Sequence, residues 1–521
     1  MTLQDRTTHS GDVASAIDLF VTALGGRDAV DAAVAQTITA EGWRRHPAWG
    51  TDPGKAEAVA TFSYTVVEDA VRPRYHLSLN AHTFLVPSEL QYTEIGNGSI
   101  GHVTGIDFMF DPRPVDMAIE SWRVTTRLRH FDLTSPLRLA RKLTLPGADV
   151  SLDEEATDGE HGKVLVLREV GRPPVRIYLN AATGLPARVA LTEEHPPLGD
   201  ALVEVAFTAY RNAGSLVLPY GVAITVNGLA VHEETRSSIR IEYAIPDAHF
   251  RVPATAVTDG SADQVAYGQH STEWVMSYVF AGVRFYFDLQ VAPVTPVAVD
   301  LAPGVKIVIG PSHNTLVVEM PDHLVAVEAP LYHRYAGAAL AQVKAAFPGK
   351  PLRQVVATHF HYDHIGGIRE FAADGDLTVV SGRESVAFFE EVFRRPHTVD
   401  PDRFAGRPVP VAVRGVDDQL VLPTGDGGTL QIHHITSDHA EDMLIVYLST
   451  SKIVFESDLW NPTPAMPAPG AQRGRLATQL YDAITSRGLD VETVVGGHQG
   501  TDGKTWAHAA PLSYLKTAAG Y

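Results

Sequence analysis

The chain concentrates metal-ligating side chains between residues 359 and 364. The run reads His-Phe-His-Tyr-Asp-His, so three imidazoles and one carboxylate occupy six consecutive positions. It follows the apolar, strand-like residues 354–358 and precedes the pair Gly366-Gly367. This order predicts a strand, a ligand-bearing loop and a turn, and it requires a fold that brings partner ligands to the end of that strand.

The spacing within the run divides the four side chains into two pairs. Residues two apart in extended backbone project to the same side, so His359 and His361 can bind one ion together. Asp363 and His364 lie where the chain turns, and they can face a second ion. Nitrogen and oxygen ligands of this kind suit Zn²⁺, and they leave Fe and Mn open.

Three further candidate ligands lie beside apolar runs in the C-terminal half of the chain. His439 comes shortly before residues 443–448, Asp458 follows residues 453–456, and His498 lies in a Gly-rich turn. These positions flank predicted strands, and open α/β sheets gather their functional groups at the carboxyl ends of strands. We therefore expect the three side chains to join the ligands of the His-rich run.

The ordered set HxHxDH, then a His, an Asp and a final His, resembles the metallo-β-lactamase superfamily. It is more narrowly similar to the dinuclear hydrolase branch that includes glyoxalase II and the lactonases. The resemblance covers roughly residues 296–521. It implies a four-layer αββα sandwich that carries metal ions at one edge.

The resemblance implies a dinuclear metal site whose ligands all come from the motifs described above. The ligands implied for the first metal are His359, His361 and His439. Those implied for the second metal are Asp363, His364 and His498, and Asp458 would bind both metals. Asp363 would also orient the nucleophile and would thus be a catalytic residue. The chain contains no Cys, which sets it apart from the β-lactamases that use a Cys on the second metal.

Four other residues near these motifs have roles that the sequence leaves open. Glu328 stands at the end of an early strand, where the superfamily commonly has Asp. That position usually supports the metal-binding loop through hydrogen bonds, so the longer side chain would change support and not ligation. His313, His433 and His434 could either support the ligands or pack in the core.

The implied chemistry is hydrolysis with two Zn²⁺ ions per chain, with Fe or Mn as the other metals considered. Water shared by two Zn²⁺ ions ionises near neutral pH, so a metal-bridging hydroxide would attack the substrate carbonyl. We expect a small ester, lactone, thioester or amide as the substrate, and a β-lactam is one such amide. Two alternatives of the same fold remain open: a mononuclear iron dioxygenase using His359, His439 and Asp458, and an alkyl sulfatase-like hydrolase.

Charge and composition limit the classes of substrate and partner that we expect. The chain has 42 Lys and Arg residues against 61 Asp and Glu residues, a formal net charge of −19. Such a surface repels phosphate backbones, so we expect a small-molecule acyl substrate and no nucleic acid. No segment has the length and apolarity of a membrane span, and residues 1–6 lack the features of a secretory signal. We therefore expect a cytoplasmic protein without membrane contact, and a homodimer is left open.

The length of 521 residues predicts at least two domains. We predict an N-terminal β-rich domain with a leading helix over residues 1–255, a connector over 256–295, and the metallo-β-lactamase-like catalytic domain over 296–521. Residues 13–36 show helical spacing broken at Gly25-Gly26, and strand-like runs follow to about residue 252. The predicted class is α+β: an αββα sandwich preceded by an antiparallel, half-barrel-like meander.

Overall fold

The computed structural model describes residues 3–84, 88–110, 113–153, 161–253, 271–281, 295–310, 312–467, 474–501 and 505–521. The chain forms two compact units. The first unit comprises Met1–Pro47, Ala58–His195 and Asp200–Phe285, and the second comprises Ala48–Glu57, Pro196–Gly199 and Tyr286–Tyr521. Two short segments within the predicted range 1–255 thus cluster with the second unit, and the predicted domain bounds themselves stay a prediction. In the described part of the chain, no helix is long and apolar enough to span a membrane.

The first unit is built on a 13-stranded sheet. Its strands are β1 (Ala35–His46), β2 (Glu57–Asp69), β3 (Arg74–Thr83), β4 (Ser88–Asn97), β5 (Ile100–Ile106), β6 (Val115–Ile119), β7 (Asp149–Leu152), β8 (His161–Arg168), β9 (Val175–Asn180), β10 (Pro186–His195), β11 (Gly199–Ala213), β12 (Leu216–Val226) and β13 (Leu229–Glu242). The order is β6-β5-β4-β3-β2-β1-β13-β12-β11-β10-β9-β8-β7. Strands that follow one another in sequence are therefore neighbours, except that β6 and β7 form the two edges and β1 pairs with β13. This sheet confirms the predicted antiparallel β-rich domain.

Side-chain alternation explains why these segments form a sheet with two unlike faces. Buried and exposed residues alternate along most of β3, as expected for strands that turn one face towards a core. A hairpin turn at residues 181–185 joins β9 and β10, which pair antiparallel, and Gly184 adopts a positive φ of 72° there. A left-handed backbone conformation favours glycine, so the local sequence specifies this turn.

The helices of the first unit are Leu3–Leu24, Arg27–Ala32, Ser121–Thr134, Pro136–Leu143 and Thr272–Ala281, with a 3₁₀ turn at Asp247–Phe250. The first two confirm the predicted break at Gly25-Gly26. Gly25 has a φ of 131°, and a Cβ atom there would lie 2.3 Å from the carbonyl oxygen of Ser215. Both the backbone conformation and the close approach therefore require glycine at this position.

The second unit contains two mixed sheets. The first has the order β14 (Val297–Ala302), β15 (Val305–Ile309), β16 (Asn314–Glu319), β17 (Leu324–Val327), β18 (Leu352–Val356), β19 (Thr378–Gly382) and β20 (Ala412–Val416). The second has the order β21 (Gln419–Pro423), β22 (Thr429–His434), β23 (Leu444–Leu448), β24 (Ile453–Glu456), β25 (Thr493–Thr501) and β26 (Trp506–Pro511). Strands β17 to β20 run parallel, as do β24 and β25, and the other neighbouring pairs are antiparallel.

Helices cover the outer faces of both sheets. They are His333–Ala346, Tyr362–Ile365, Ile368–Ala372, Val386–Arg394, Arg403–Gly406, Arg475–Ser486 and Leu512–Ala518, with a 3₁₀ turn at Arg383–Ser385. Val356 packs into the core between the sheets, whereas its neighbour Val355 packs against the helices outside the first sheet. A third core joins the outer face of the second sheet to helix Arg475–Ser486. The layers are helix, sheet, sheet and helix, which confirms the predicted αββα sandwich.

Candidate metal centre

The seven predicted ligands lie where strands of the two sheets of the second unit end or are interrupted. His359 and His361 follow β18, and Asp458 follows β24 with a φ of 63°. His439 lies between β22 and β23. His498 lies in β25, where the pairing with β26 is interrupted between Val495 and Gly500. The fold therefore brings together side chains that are up to 139 positions apart in the sequence.

The first group of side chains contains His359, His361, His439 and Asp458, whose ligand atoms all lie within 4.8 Å of one another. Nε2 of His439 lies 3.0 Å from Oδ2 of Asp458 and 3.1 Å from Nδ1 of His361. Nε2 of His359 lies 3.4 Å from the same carboxylate oxygen. Donors about 2.1 Å from a shared Zn²⁺ ion have spacings of about this size, so the group has the geometry of a metal site.

The second group contains Asp363, His364, His498 and one further histidine, His313, again with ligand atoms within 4.8 Å of one another. Oδ2 of Asp363 lies 3.3 Å from Nε2 of His313 and 3.6 Å from Nε2 of His364. The ring centres of His313 and His498 are 4.1 Å apart. Three imidazoles and a carboxylate thus face one another in each group.

Asp458 contacts both groups. Its Oδ2 atom lies 3.1 Å from Nε2 of His364, and its Oδ1 atom lies 2.8 Å from Nε2 of His498. The same carboxylate touches His359 and His439 of the first group. This position between the groups is the one that a carboxylate bridging two metals would occupy.

Glu328 supports the outer side of the ligands. The residue is fully buried and has a φ of 72°, and its Oε1 atom accepts a hydrogen bond from Oγ1 of Thr358 at 2.7 Å. The same oxygen lies 3.0 Å from Nδ1 of His364, and Oγ1 of Thr358 lies 3.0 Å from Nδ1 of His359. Hydrogen bonds to the outer nitrogen of a ligating histidine fix its ring and its tautomer. These contacts fit the support role that the resemblance implies for this position.

The charges of the site are arranged around its two carboxylates. Burial favours a raised pKa for Asp363 and Asp458, but the neighbouring imidazoles, His364 foremost, outweigh it and hold both pKa values below the ordinary range. In return, Asp458 overcomes the effect of burial and raises the pKa of His364 and of His498. The site therefore favours positive charge beside the carboxylates.

Two imidazoles of the first group, those of His359 and His361, are held neutral. Burial, followed by the neighbouring His364, lowers the pKa of His359 to about 3. Burial and then His359 also hold the pKa of His361 well below its ordinary value. Neutral imidazole is the form that binds a metal ion, so these rings are prepared for ligation without a proton to displace.

An unpaired polar atom provides a separate test of whether these residues fit a metal. Among the described residues, the buried Oδ1 of Asp363 has no hydrogen-bond partner, and Nε2 of His359 has a 3.4 Å contact with Oδ2 of Asp458. Buried polar atoms are seldom left unpaired, because each costs roughly 1–3 kcal/mol. Oδ1 of Asp363 belongs to the second group, and a cation between the ligands would satisfy it. The donor set therefore fits divalent metal ions.

Sequence reasoning left the role of His313 open, and the structure places this residue in the second group. The residue lies between β15 and β16 and forms an isolated bridge with His498. Its position in a turn between two predicted strands was visible in the sequence, but its distance to His498 depends on how the two sheets meet. The other two open histidines lie outside both groups: His433 contacts Oε1 of Gln431, and His434 contacts the carbonyl oxygen of Glu441.

Comparison with solved structures returns chains of low similarity. The sec-alkylsulfatase Pisa1 from Pseudomonas sp. is 18% identical, with 43% of this chain and 41% of that chain covered and a TM-score of 0.30. The metallo-beta-lactamase FIM-1 from Pseudomonas aeruginosa in its mono-zinc form is 18% identical, with 43% and 94% covered and a TM-score of 0.32. A metallo-beta-lactamase from Pontibacter korlensis is also 18% identical, with 43% and 97% covered and a TM-score of 0.30. The chain thus spans less than half the length of the alkylsulfatase that it matches.

Comparison with protein families gives a match that contains the site. Residues 334–498 match the family described as the metallo-beta-lactamase superfamily. The matched region includes the His-rich run and extends to the last predicted ligand, His498. His313 lies before its first residue. The region that contains all seven predicted ligands therefore matches the metallo-beta-lactamase superfamily.

Proposed function

We propose that the protein is a dinuclear metal-dependent hydrolase, with zinc as the metal and a small ester, lactone, thioester or amide as the substrate. The observation that carries the proposal is the position of Asp458 between two groups of three imidazoles each. A single metal would use only one of these groups. The second group, with Asp363 and His313 beside His364 and His498, would then have no purpose.

The residues of such a site would have different roles in binding the two metals. The first metal would be held by His359, His361 and His439, the second by Asp363, His364 and His498, and Asp458 would bind both. Two bound zinc ions would supply Lewis acidity and would lower the pKa of a shared water, which is the chemistry of metal-assisted hydrolysis. Asp363, which contacts His313, would orient that water.

The open side of the site indicates where a substrate would approach. The side chains of His359 and His364 are fully buried, whereas 23% of the surface of the His498 side chain and 14% of that of Asp458 is exposed. A carbonyl group would therefore approach past His498 and Asp458. The net charge of −19 disfavours polyanionic substrates, so a small acyl compound is the best-supported class.

Metal content tests the proposal directly. We expect elemental mass spectrometry of the purified protein to find about two zinc ions per chain, and a screen of esters, lactones, thioesters and amides to show hydrolysis. About one iron ion per chain without zinc would overturn the proposal in favour of oxygen chemistry. An oxygen-consumption assay would then replace the hydrolysis screen.

Replacing the central carboxylate should have the largest effect on activity. Asp458→Ala and the shape-preserving Asp458→Asn should each lower the rate of hydrolysis by more than about a hundredfold. Loss of a residue that only supports a ligand costs at most about that much. Both variants should also lower the metal content. Asp322→Ala, at an exposed carboxylate whose side chain contacts His323, is the matched control. Wild-type turnover in Asp458→Asn would contradict a bridging role.

A further inference from the structure

The backbone of Gly50 lies against one of the proposed metal ligands. The carbonyl oxygen of Gly50 is 2.6 Å from Nε2 of His361, and the two residues are 311 positions apart in the sequence. Residues 48–57, which we name the strap, cluster with the second unit although the strands around them belong to the first. A segment remote in the sequence thus reaches the metal centre within the same compact unit.

The strap is attached to both loops that carry ligands of the first metal. The backbone N–H of Tyr362, the residue after His361, donates a hydrogen bond to the carbonyl oxygen of Ala48 at 3.3 Å. The backbone N–H of Glu441, two residues after His439, donates to the carbonyl oxygen of Thr51 at 2.9 Å. Gly50 therefore lies between two anchoring points.

An aromatic contact adds to these hydrogen bonds. The ring of Trp49 meets the ring of Tyr362 edge-on, with the ring centres 6.4 Å apart and the planes at 80°. Both side chains are buried. Edge-to-face pairs of buried aromatic rings contribute about 0.5–1.5 kcal/mol beyond the area that they bury, so the strap is held by packing as well as by its backbone.

The contact with Gly50 assigns the two nitrogens of the His361 ring. A carbonyl oxygen can only accept, so the 2.6 Å contact favours the neutral ring whose proton lies on Nε2. The backbone nitrogen of Gly50 is also 3.0 Å from Nε2, which would suit the opposite tautomer. The carbonyl contact is the shorter of the two, and Nδ1 faces Nε2 of His439 at 3.1 Å, on the side of the metal. Nδ1 is thus the ligating nitrogen, and Nε2 is the donor to Gly50.

The strap is folded so that only glycine fits at this position. Oε1 of Glu57 accepts hydrogen bonds from the backbone N–H of Thr51 at 3.0 Å, from its hydroxyl at 2.6 Å and from the backbone N–H of Asp52 at 3.1 Å. Gly50 has a φ of 137°, and a Cβ atom there would lie 2.7 Å from Cβ of Glu57. The Glu57 carboxylate holds the strap in this conformation through these hydrogen bonds. The Glu57 side chain also occupies the space that a methyl group on Gly50 would need.

We propose that Gly50 is a positioning residue for the first metal, acting through its carbonyl oxygen on the ring of His361. The hydrogen bond holds the ring with Nδ1 turned to the metal, and the strap keeps the carbonyl in place. The proposal rests on the proposed dinuclear centre. It gives residues 48–57 a direct part in metal binding, although the matched family region begins only at residue 334.

Metal retention in Gly50→Ala tests the proposal. Loss of an outer-shell partner typically costs about 10–100-fold in metal affinity. During dialysis against a graded series of chelator concentrations, we expect Gly50→Ala to fall from about two metal ions per chain to about one at concentrations that leave the wild type loaded. The absorption spectrum of the cobalt-substituted protein should change in the same variant. Gly54→Ala is the matched control, because its Cβ would approach no atom closer than 3.3 Å.

A second pair of variants separates this effect from misfolding of the strap. Glu57→Gln keeps an acceptor oxygen for the three hydrogen bonds and should retain both metals, whereas Glu57→Ala removes the acceptor and should lose one metal as Gly50→Ala does. Melting temperatures close to that of the wild type would show that each variant is folded. Retention of two metals at wild-type chelator concentrations in both Gly50→Ala and Glu57→Ala would overturn the proposal. Absence of metal from the wild type would instead overturn the proposed function.

Discussion

The first unit and the candidate metal centre of the second unit bury ionisable side chains in opposite ways. In the first unit, Arg123 is fully buried and donates hydrogen bonds to Glu94 at 2.8 Å and to Asp107 at 2.6 Å. In the second unit, every ion-pair contact of Asp363 and Asp458 within the described residues is to histidine. The first arrangement contains its own permanent cation, and the second does not.

The charges in the first unit are balanced by the protein alone. Arg127 joins Arg123 on the carboxylate of Glu94, with Nε 3.0 Å from Oε1. Burial favours a raised pKa for Glu94, but the two guanidinium groups outweigh it and lower the pKa to about 2. A similar pair joins Arg44 to Glu273 at 2.7 Å. Guanidinium is always protonated, so these networks are complete without a ligand.

The comparison separates a structural network from a binding site. The charge of a buried carboxylate paired with arginine is already compensated, so the pair needs no further cation. A buried carboxylate surrounded by neutral or titrating imidazoles still needs a cation, and the buried Oδ1 of Asp363, which has no hydrogen-bond partner within the described residues, indicates where it would bind. The nature of the compensating group therefore tells more about function than burial or pKa alone.

Removing a cation from the first unit should have the largest effect on stability. Arg123→Ala leaves Glu94 and Asp107 buried without this partner, and breaking such a pair costs about 3–5 kcal/mol. Chemical denaturation would measure this loss. Arg27→Ala removes an exposed ion pair with Asp31 in the same unit and should cost at most about 1 kcal/mol. Equal losses of unfolding free energy in Arg123→Ala and Arg27→Ala would show that the buried network contributes no more to stability than an exposed ion pair.

The pH dependence of stability should reveal a buried carboxyl of the first unit. Burial raises the pKa of Glu68 to about 7 against the pull of Arg138 and Arg236, with Glu234 nearby and Nε2 of Gln36 donating a hydrogen bond at 2.8 Å. The pKa is higher in the folded chain than in the unfolded chain. The stability that Glu68 contributes is therefore complete below about pH 4.5 and is lost as the pH rises through about 7.

Glu68→Gln should remove this part of the pH dependence. Between pH 5 and pH 8, we expect the free energy of unfolding of the wild type to fall relative to that of the variant by on the order of 2 kcal/mol. Denaturation curves at the two pH values would measure the difference. Parallel curves for the two proteins would show that Glu68 is not protonated in the folded chain near neutral pH.

The smallest expected effect belongs to the residue that completes the second group. His313→Gln should weaken the binding of one of the two metals about tenfold, the lower end for an outer-shell partner, because Asp363 loses the partner that holds it. Chelator competition would measure this change. His323→Gln, at a histidine that contacts Asp322 and lies outside both groups, should leave the affinity unchanged. A change of more than about a hundredfold would show that His313 is a ligand itself.

Much of the metal site could be predicted because its information is local. The His-rich run places four ligands within six residues, and the apolar runs beside His439, Asp458 and His498 predicted strands that the structure contains. The same regular patterns predicted the β-rich character of the first unit and the break at Gly25-Gly26. Period-two alternation and turn residues act on neighbouring positions, so a single sequence carries them.

The parts that could not be predicted depend on distant segments meeting. Arg123 lies in helix Ser121–Thr134, where an arginine would ordinarily be expected on the surface. Its burial follows from the two carboxylates that the sheet places opposite it. His313 and Gly50 likewise carry no motif of their own, and each acquires a role only beside His498 or His361.

The sequence by itself determined the types of the candidate ligands, their order along the chain and the strands beside which they lie, because spacing and side-chain chemistry act between near neighbours. Only the tertiary structure decided that Asp458 lies between two groups, that His313 joins the second group, and that the strap reaches His361. These facts depend on how two sheets and a remote segment pack together. Packing is set by the sum of many weak contacts over the whole chain, and no short stretch of sequence contains that sum.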